Sequence, residues 1–149
     1  MIESSHDPGA ARALALAGEL RAVAGRLKRR LREQASLGDL TASQAAVVRH
    51  LHRDGPATVT ALARIEGVRP QSMGATVAVL EAAGLVNGTP DPKDRRQTIL
   101  SLSAACVERL EAGRAAREDW LGRMILTRLE PGEREHLASA LELLKRLVD

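Results

Sequence analysis

The six residues Asp91-Pro92-Lys93-Asp94-Arg95-Arg96 make a charged turn between two short apolar runs, and no other stretch limits the possible folds as much. Gly84-Leu85-Val86-Asn87-Gly88-Thr89 precedes the turn, and Gln97-Thr98-Ile99-Leu100-Ser101-Leu102 follows it. Pro92 fixes φ and has no amide to donate, while the acids at 91 and 94 favour turn geometry. The segment therefore reads as a β-hairpin with an extended tip. Two adjacent guanidiniums at such a tip can reach a phosphate or enter a narrow minor groove.

Upstream, the chain has helix-turn-helix proportions. Thr41-Ala42-Ser43-Gln44 is a capping-box pattern, with Thr41 as the cap and Gln44 reaching back. The helix it opens carries Val47, Val48 and Leu51 and stops near Asp54-Gly55-Pro56. Another helix begins after Thr58, buries Val59, Leu62 and Ala63, and ends at Glu66-Gly67, where glycine suits a left-handed turn. The next starts near Arg69, with Pro70 in its first turn. Its Met73, Val77 and Leu80 repeat at i, i+4 and i+7 and give one buried stripe. Ala83-Gly84 closes it and the hairpin follows at once. Residues 41–102 thus read as a winged helix-turn-helix.

With that stripe buried, Arg69, Gln71, Ser72 and Ala75 point outward from the start of the helix. Small residues at Ser72, Gly74 and Ala75 let the backbone approach base edges. Gln71 can pair bidentately with adenine, and Arg69 can contact guanine or phosphate. A solvated helix face has the same composition. The wing directly behind it favours the base-reading account.

Composition narrows the function classes. The 149 residues fit one domain with helical extensions. Apolar residues make up 44%, yet Phe and Tyr are absent and Trp120 is the only aromatic. Such a core suits packed helices and argues against RNA modules that stack bases on exposed aromatics. The net charge of +3 permits a nucleic-acid partner without requiring one. Residues 41–102 carry seven Lys or Arg against five acids, and residues 103–149 carry eight against nine, so the cations are placed rather than spread. Cys106 is alone, which excludes an intrachain disulfide or a Cys-rich zinc site. His6, His50, His52 and His136 lack ligand spacing, and neither a metal nor any other cofactor is expected. No nucleophile elbow, Walker loop or dinucleotide fingerprint supports an enzyme. Without a signal-peptide pattern or an apolar run of about 18 residues, the expectation is a cytoplasmic protein with no membrane partner. Residues 1–10, with Asp7-Pro8-Gly9 as a turn, read as a flexible N-terminal arm.

Residues 41–102 resemble the DNA-binding core of the MarR-type winged-helix regulators. The resemblance rests on Leu40-Thr41-Ala42-Ser43-Gln44, Leu62-Ala63, Gln71-Ser72-Met73, Leu80-Glu81-Ala82-Ala83-Gly84-Leu85-Val86 and, most specifically, the wing sequence Asp91-Pro92-Lys93-Asp94-Arg95-Arg96. It implies a mainly α fold with a small β-wing, flanked by long N- and C-terminal dimerisation helices. It also implies a homodimeric repressor that binds a pseudo-palindromic site in double-stranded DNA and is often released by a small molecule. By that analogy Arg95 or Arg96 enters the minor groove, Asp94 braces the wing, and Lys93 joins the DNA-binding set of Arg69, Gln71, Ser72 and Ala75. Two departures stand out. The family usually carries an Arg soon after the Gly-Leu-Val step, where this chain has Asn87-Gly88, and an outward Arg of the recognition helix is replaced around Gly74-Ala75.

The flanking segments are helical in pattern. Residues 11–35 set Leu16, Leu20, Val23, Leu27 and Leu31 against Arg21, Arg26, Arg29 and Arg30. Ser103 can cap a helix over 103–129, and Pro131 opens a last one over 131–148 with Leu137, Leu141, Leu144 and Val148. Their apolar surplus points to a dimer interface, with a monomer whose ends fold over the core as the other reading. A DNA-free helical adaptor dimerising through its ends would explain these helices but has no need of the Arg95-Arg96 wing. For an effector pocket of the kind the family implies, the candidate liners are Leu20, Ala24, Leu27, Val47, His50, Leu51, Leu121 and Ile125, each equally explained as core. Cys106, near a helix start, reads as a buried filler or as a redox-sensitive thiol.

Overall fold

The protein's structure, a computed structural model, describes residues 7–149. Nine elements follow one another: α1 (Pro8–Gln34), α2 (Ala42–Asp54), β1 (Ala57–Thr58), α3 (Val59–Glu66), α4 (Pro70–Ala82), β2 (Val86–Pro90), β3 (Thr98–Leu102), α5 (Ala104–Arg128) and α6 (Pro131–Val148). The fold is mainly α with one small antiparallel sheet, ordered β1-β3-β2. Two compact units divide the chain. One is Ser36–Arg114, and the other joins the described residues up to Ala35 with Ala115–Asp149.

The unit Ser36–Arg114 is the winged one. Local chemistry sets its helix ends. Thr41 accepts the amide of Gln44 at 3.2 Å while Gln44 Oε1 accepts that of Thr41 at 3.1 Å, so the capping box forms in full. Thr58 ends β1 and caps α3 by accepting the Ala61 amide at 3.1 Å. Gly67 closes α3 at φ 66°, where a side chain would be strained. Val47, Val48 and Leu51 of α2, Leu62 and Ala63 of α3, and Met73, Val77 and Leu80 of α4 meet Leu85, Val86, Leu100 and Cys106 in one buried cluster. Leu62, Leu80 and Leu100 are fully enclosed, and truncating any of them to Ala should cost about 2–5 kcal/mol.

β2 and β3 form the wing, paired from Val86↔Leu102 to Pro90↔Thr98. β1 adds a short third strand, pairing Ala57↔Leu100 and Thr58↔Ile99. Ser103 joins the wing to the helix after it. Its hydroxyl donates to the Gly84 carbonyl at 2.6 Å and accepts the Cys106 amide at 3.1 Å, closing α4 and capping α5 with one oxygen. Burial pushes the Cys106 thiol above its ordinary range, with Arg109 opposing. Burial thus favours the filler reading of Cys106 over the redox-sensitive one.

In the other unit, α1 and α6 contain no buried residue. Leu14, Leu16, Leu20, Val23 and Leu27 of α1 and Leu141, Leu143 and Leu147 of α6 are exposed. The Arg30 guanidinium lies 5.7 Å from the centroid of the Trp120 ring, a cation–π contact, and Arg117 donates to the Ala35 carbonyl at 3.2 Å. Arg134 donates to the carbonyls of Leu126 and Leu129, satisfying the end of α5, and Glu130 and Glu133 form a capping box at the start of α6.

The N-terminus departs from expectation. Pro8, Gly9 and Ala10 belong to α1 rather than to a flexible arm over 1–10, because Asp7 accepts the Gly9 amide at 2.9 Å and Pro8 takes the first helical position. Asp-Pro-Gly serves a turn or a helix start equally well, and the long helical pattern behind it selects the second. The arm's remaining residues, 1–6 and with them His6, lie outside the described residues. No helix among the described residues is long and apolar enough to cross a membrane.

Candidate nucleic-acid interface

The wing tip is built by two carboxylates and two backbone bridges. Asp91 Oδ1 accepts the Lys93 amide at 2.9 Å, and Asp94 Oδ1 accepts the Arg96 amide at 3.1 Å. The amide of Asp91 reaches the Gln97 carbonyl at 2.9 Å, and that of Gln97 reaches the Asp94 carbonyl at 2.9 Å. These bonds give the turn residues Asp91 and Asp94 their structural reason. Asp94 Oδ1 also accepts from Arg96 Nε at 3.2 Å. Arg95 makes no side-chain hydrogen bond or ion pair among the described residues, and its side chain is exposed. Lys93 is exposed beside it.

α4 lies in the same unit. Met73, Val77 and Leu80 face its core, and Gln71, Ser72 and Ala75 are exposed, as expected. Arg69 is the N-cap residue but supplies no side-chain cap. Pro70 has no amide, so the first free donors of α4 are the backbone N–H groups of Gln71 and Ser72, beside the exposed Arg69. Such a helix start favours anionic oxygens. Thr76 turns its hydroxyl back onto the Ser72 carbonyl at 3.2 Å. Ala78, Val79 and Ala82 are also exposed and share the outward face, though they are absent from the residues expected to touch DNA. Their spacing of three, four and seven residues from Ala75 is the signal that would have found them.

The expected effector liners fall in different settings. Val47 and Leu51 are buried in the winged unit's core, and His50 beside them has Nδ1 3.1 Å from Asp54 Oδ2. Asp54 also receives Arg53 at 2.8 Å, a bond that holds its carboxyl below the usual carboxylate range. Leu20, Ala24 and Leu27 are exposed on α1, and Leu121 and Ile125 are half-buried on α5.

A sequence profile of the MarR family matches residues 38–97. An HTH-type transcriptional regulator of Mycobacterium tuberculosis (strain CDC 1551 / Oshkosh) is 38% identical over 134 residues, covering 90% of this chain and 93% of that protein. The chain belongs to the MarR family. Among solved structures, a putative transcriptional regulator from Pseudomonas aeruginosa superposes with a TM-score of 0.74 at 36% identity, covering 92% of this chain and 96% of its own. A transcriptional regulator from Thermotoga maritima gives 0.75 at 25% identity, covering 90% and 94%. As a MarR-family member, the chain is a DNA-binding transcriptional regulator.

In this MarR-family protein, a Cβ on Gly88 would stand 2.8 Å from Glu81 Oε1 and 2.8 Å from Thr98 Cγ2, so a side chain there requires both to shift. Gly88 of the Asn87-Gly88 step thus lies where Glu81 of α4 meets the wing.

Proposed function

We propose that this regulator is a repressor that binds a pseudo-palindromic DNA site as a homodimer, with α4 in the major groove and the wing tip at the adjacent minor groove. Gln71 and Ser72 read base edges and Ala75 permits close approach. Arg69 and Lys93 hold phosphates, and Arg95 enters the minor groove while Arg96 stays with Asp94. The observation that carries this reading is the division of labour at the wing. One guanidinium is held by a carboxylate, and its neighbour is left uncommitted on a turn fixed by four hydrogen bonds to and from its backbone.

Pairing of chains rests on α1 and α6, two long helices that have no fully buried residue within the described chain while exposing rows of Leu. A two-fold dimer matches a palindromic site by symmetry. Family membership supports a small-molecule release signal.

The test is a gel-shift with the DNA upstream of the chain's own coding region, against an excess of scrambled duplex. A complex that survives the competitor supports the reading. Equal, salt-sensitive binding to any duplex contradicts sequence reading, and failure to bind the upstream DNA contradicts repression from that site.

A further inference from the structure

The outward face of α4 is unusual for a helix that meets a polyanion. Residues 70–82 contain no Lys, Arg or His, and their only charge is Glu81. That carboxylate packs over Gly88 of the wing. Opposite the buried stripe stand Gln71, Ala75, Ala78, Val79 and Ala82, all exposed. The Thr76 hydroxyl is spent on the helix's own backbone. Hydrogen-bonding side chains are therefore confined to the first turn, at Gln71 and Ser72, and the rest of the face presents only methyl groups. Val79 is the largest of these and is 51% exposed.

Base edges in the major groove offer hydrogen-bonding groups at every pair but only one apolar feature, the C5 methyl of thymine. A face of methyls can satisfy none of those donors and acceptors, which are left to water, but against a thymine methyl it buries apolar surface as well. The cations flanking this face, Arg69 at the head of α4 and Lys93 and Arg95 on the wing, suit phosphates on either side of a groove.

Resting on the DNA-binding reading above, we propose that Ala75 and Val79 are specificity-determining residues that select thymine through its methyl group, at positions beyond the base pair read by Gln71. The half-site then carries thymines where the helix has no hydrogen-bonding side chain to offer.

The test begins by selecting duplexes from a random pool with the full-length protein. Each thymine of the enriched site is then replaced singly by deoxyuridine, which removes the methyl and keeps every hydrogen bond. Affinity should fall about fourfold at one or two positions, the worth of one buried methyl. Val79→Ala should abolish the thymine-over-uracil preference at one of them, and Gln71→Ala should leave it intact. Circular dichroism checks that each variant folds.

Wild-type protein that binds its selected site with no loss at any uracil overturns the proposal and leaves DNA binding standing. So does a Val79→Ala loss that is equal on thymine and uracil duplexes, which would place Val79 against sugar. If no duplex is enriched, the DNA-binding reading fails and this one falls with it.

Discussion

Arg95 and Arg96 adjoin in sequence but differ in engagement. Arg96 Nε sits 3.2 Å from Asp94 Oδ1, whereas Arg95 has no carboxylate partner among the described residues. An exposed pair such as Asp94–Arg96 adds little to stability, but it orients one guanidinium and shares its charge. Arg95→Ala should therefore flatten the dependence of log affinity on log salt by about one unit per bound wing, and Arg96→Ala by less. Binding titrations at several salt concentrations decide the order, and equal slopes for both variants would refute the division of roles. The thiol of Cys106 gives a second prediction. Burial raises its pKa in the folded chain, so the unfolded chain releases the proton first. The thiol's contribution is whole below the ordinary thiol range and is lost as pH rises from there through the raised value of the folded chain. Alkylation at pH 8 should be at least about a hundredfold slower in buffer than in urea, because it waits for the core to open.

At the scale of elements, α4 carries a glycine that its own packing does not require. Gly74 has helical φ, and a Cβ built on it meets nothing within 4 Å. Gly74→Ala should raise stability in urea unfolding by about 0.5–1 kcal/mol, the usual helical difference between the two residues. A loss would mean that the site is tighter than its surroundings indicate. Much of this architecture was legible in the sequence because the signals are local. Thr41 with Gln44, Thr58, Gly67 and the Met73-Val77-Leu80 stripe each act within a few residues and occur where spacing put them. β1 was not legible, since two residues cannot show an alternation and Ala57-Thr58 pairs only because β3 is brought alongside. Contacts between elements were equally hidden. Nothing in the chain's order announces that Glu81 fills the space over Gly88, that Ser103 reaches Gly84, or that Asp94 engages Arg96 rather than Arg95.

At the scale of the molecule, α1 and α6 are long amphipathic helices with many of their apolar residues exposed. Helices draw most of their stability from a packed face, and the proposed second copy would supply one to these two. Sedimentation at micromolar concentration should give about twice 16.0 kDa. Leu141→Arg or Leu147→Arg should shift it towards one chain, since each residue is exposed in a single chain and a charge there is unpaired only once it is covered. A monomer at that concentration in the unaltered protein would sink the idea. Pairing through these helices, as proposed, would also tie the protein's activity to its abundance. When a surface is completed only by a second copy, mass action makes paired chains grow with the square of their number in the dilute limit. Halving the supply then leaves about a quarter of the pairs. Occupancy of a DNA site that accepts pairs alone would fall faster than the protein itself as cells divide and dilute it.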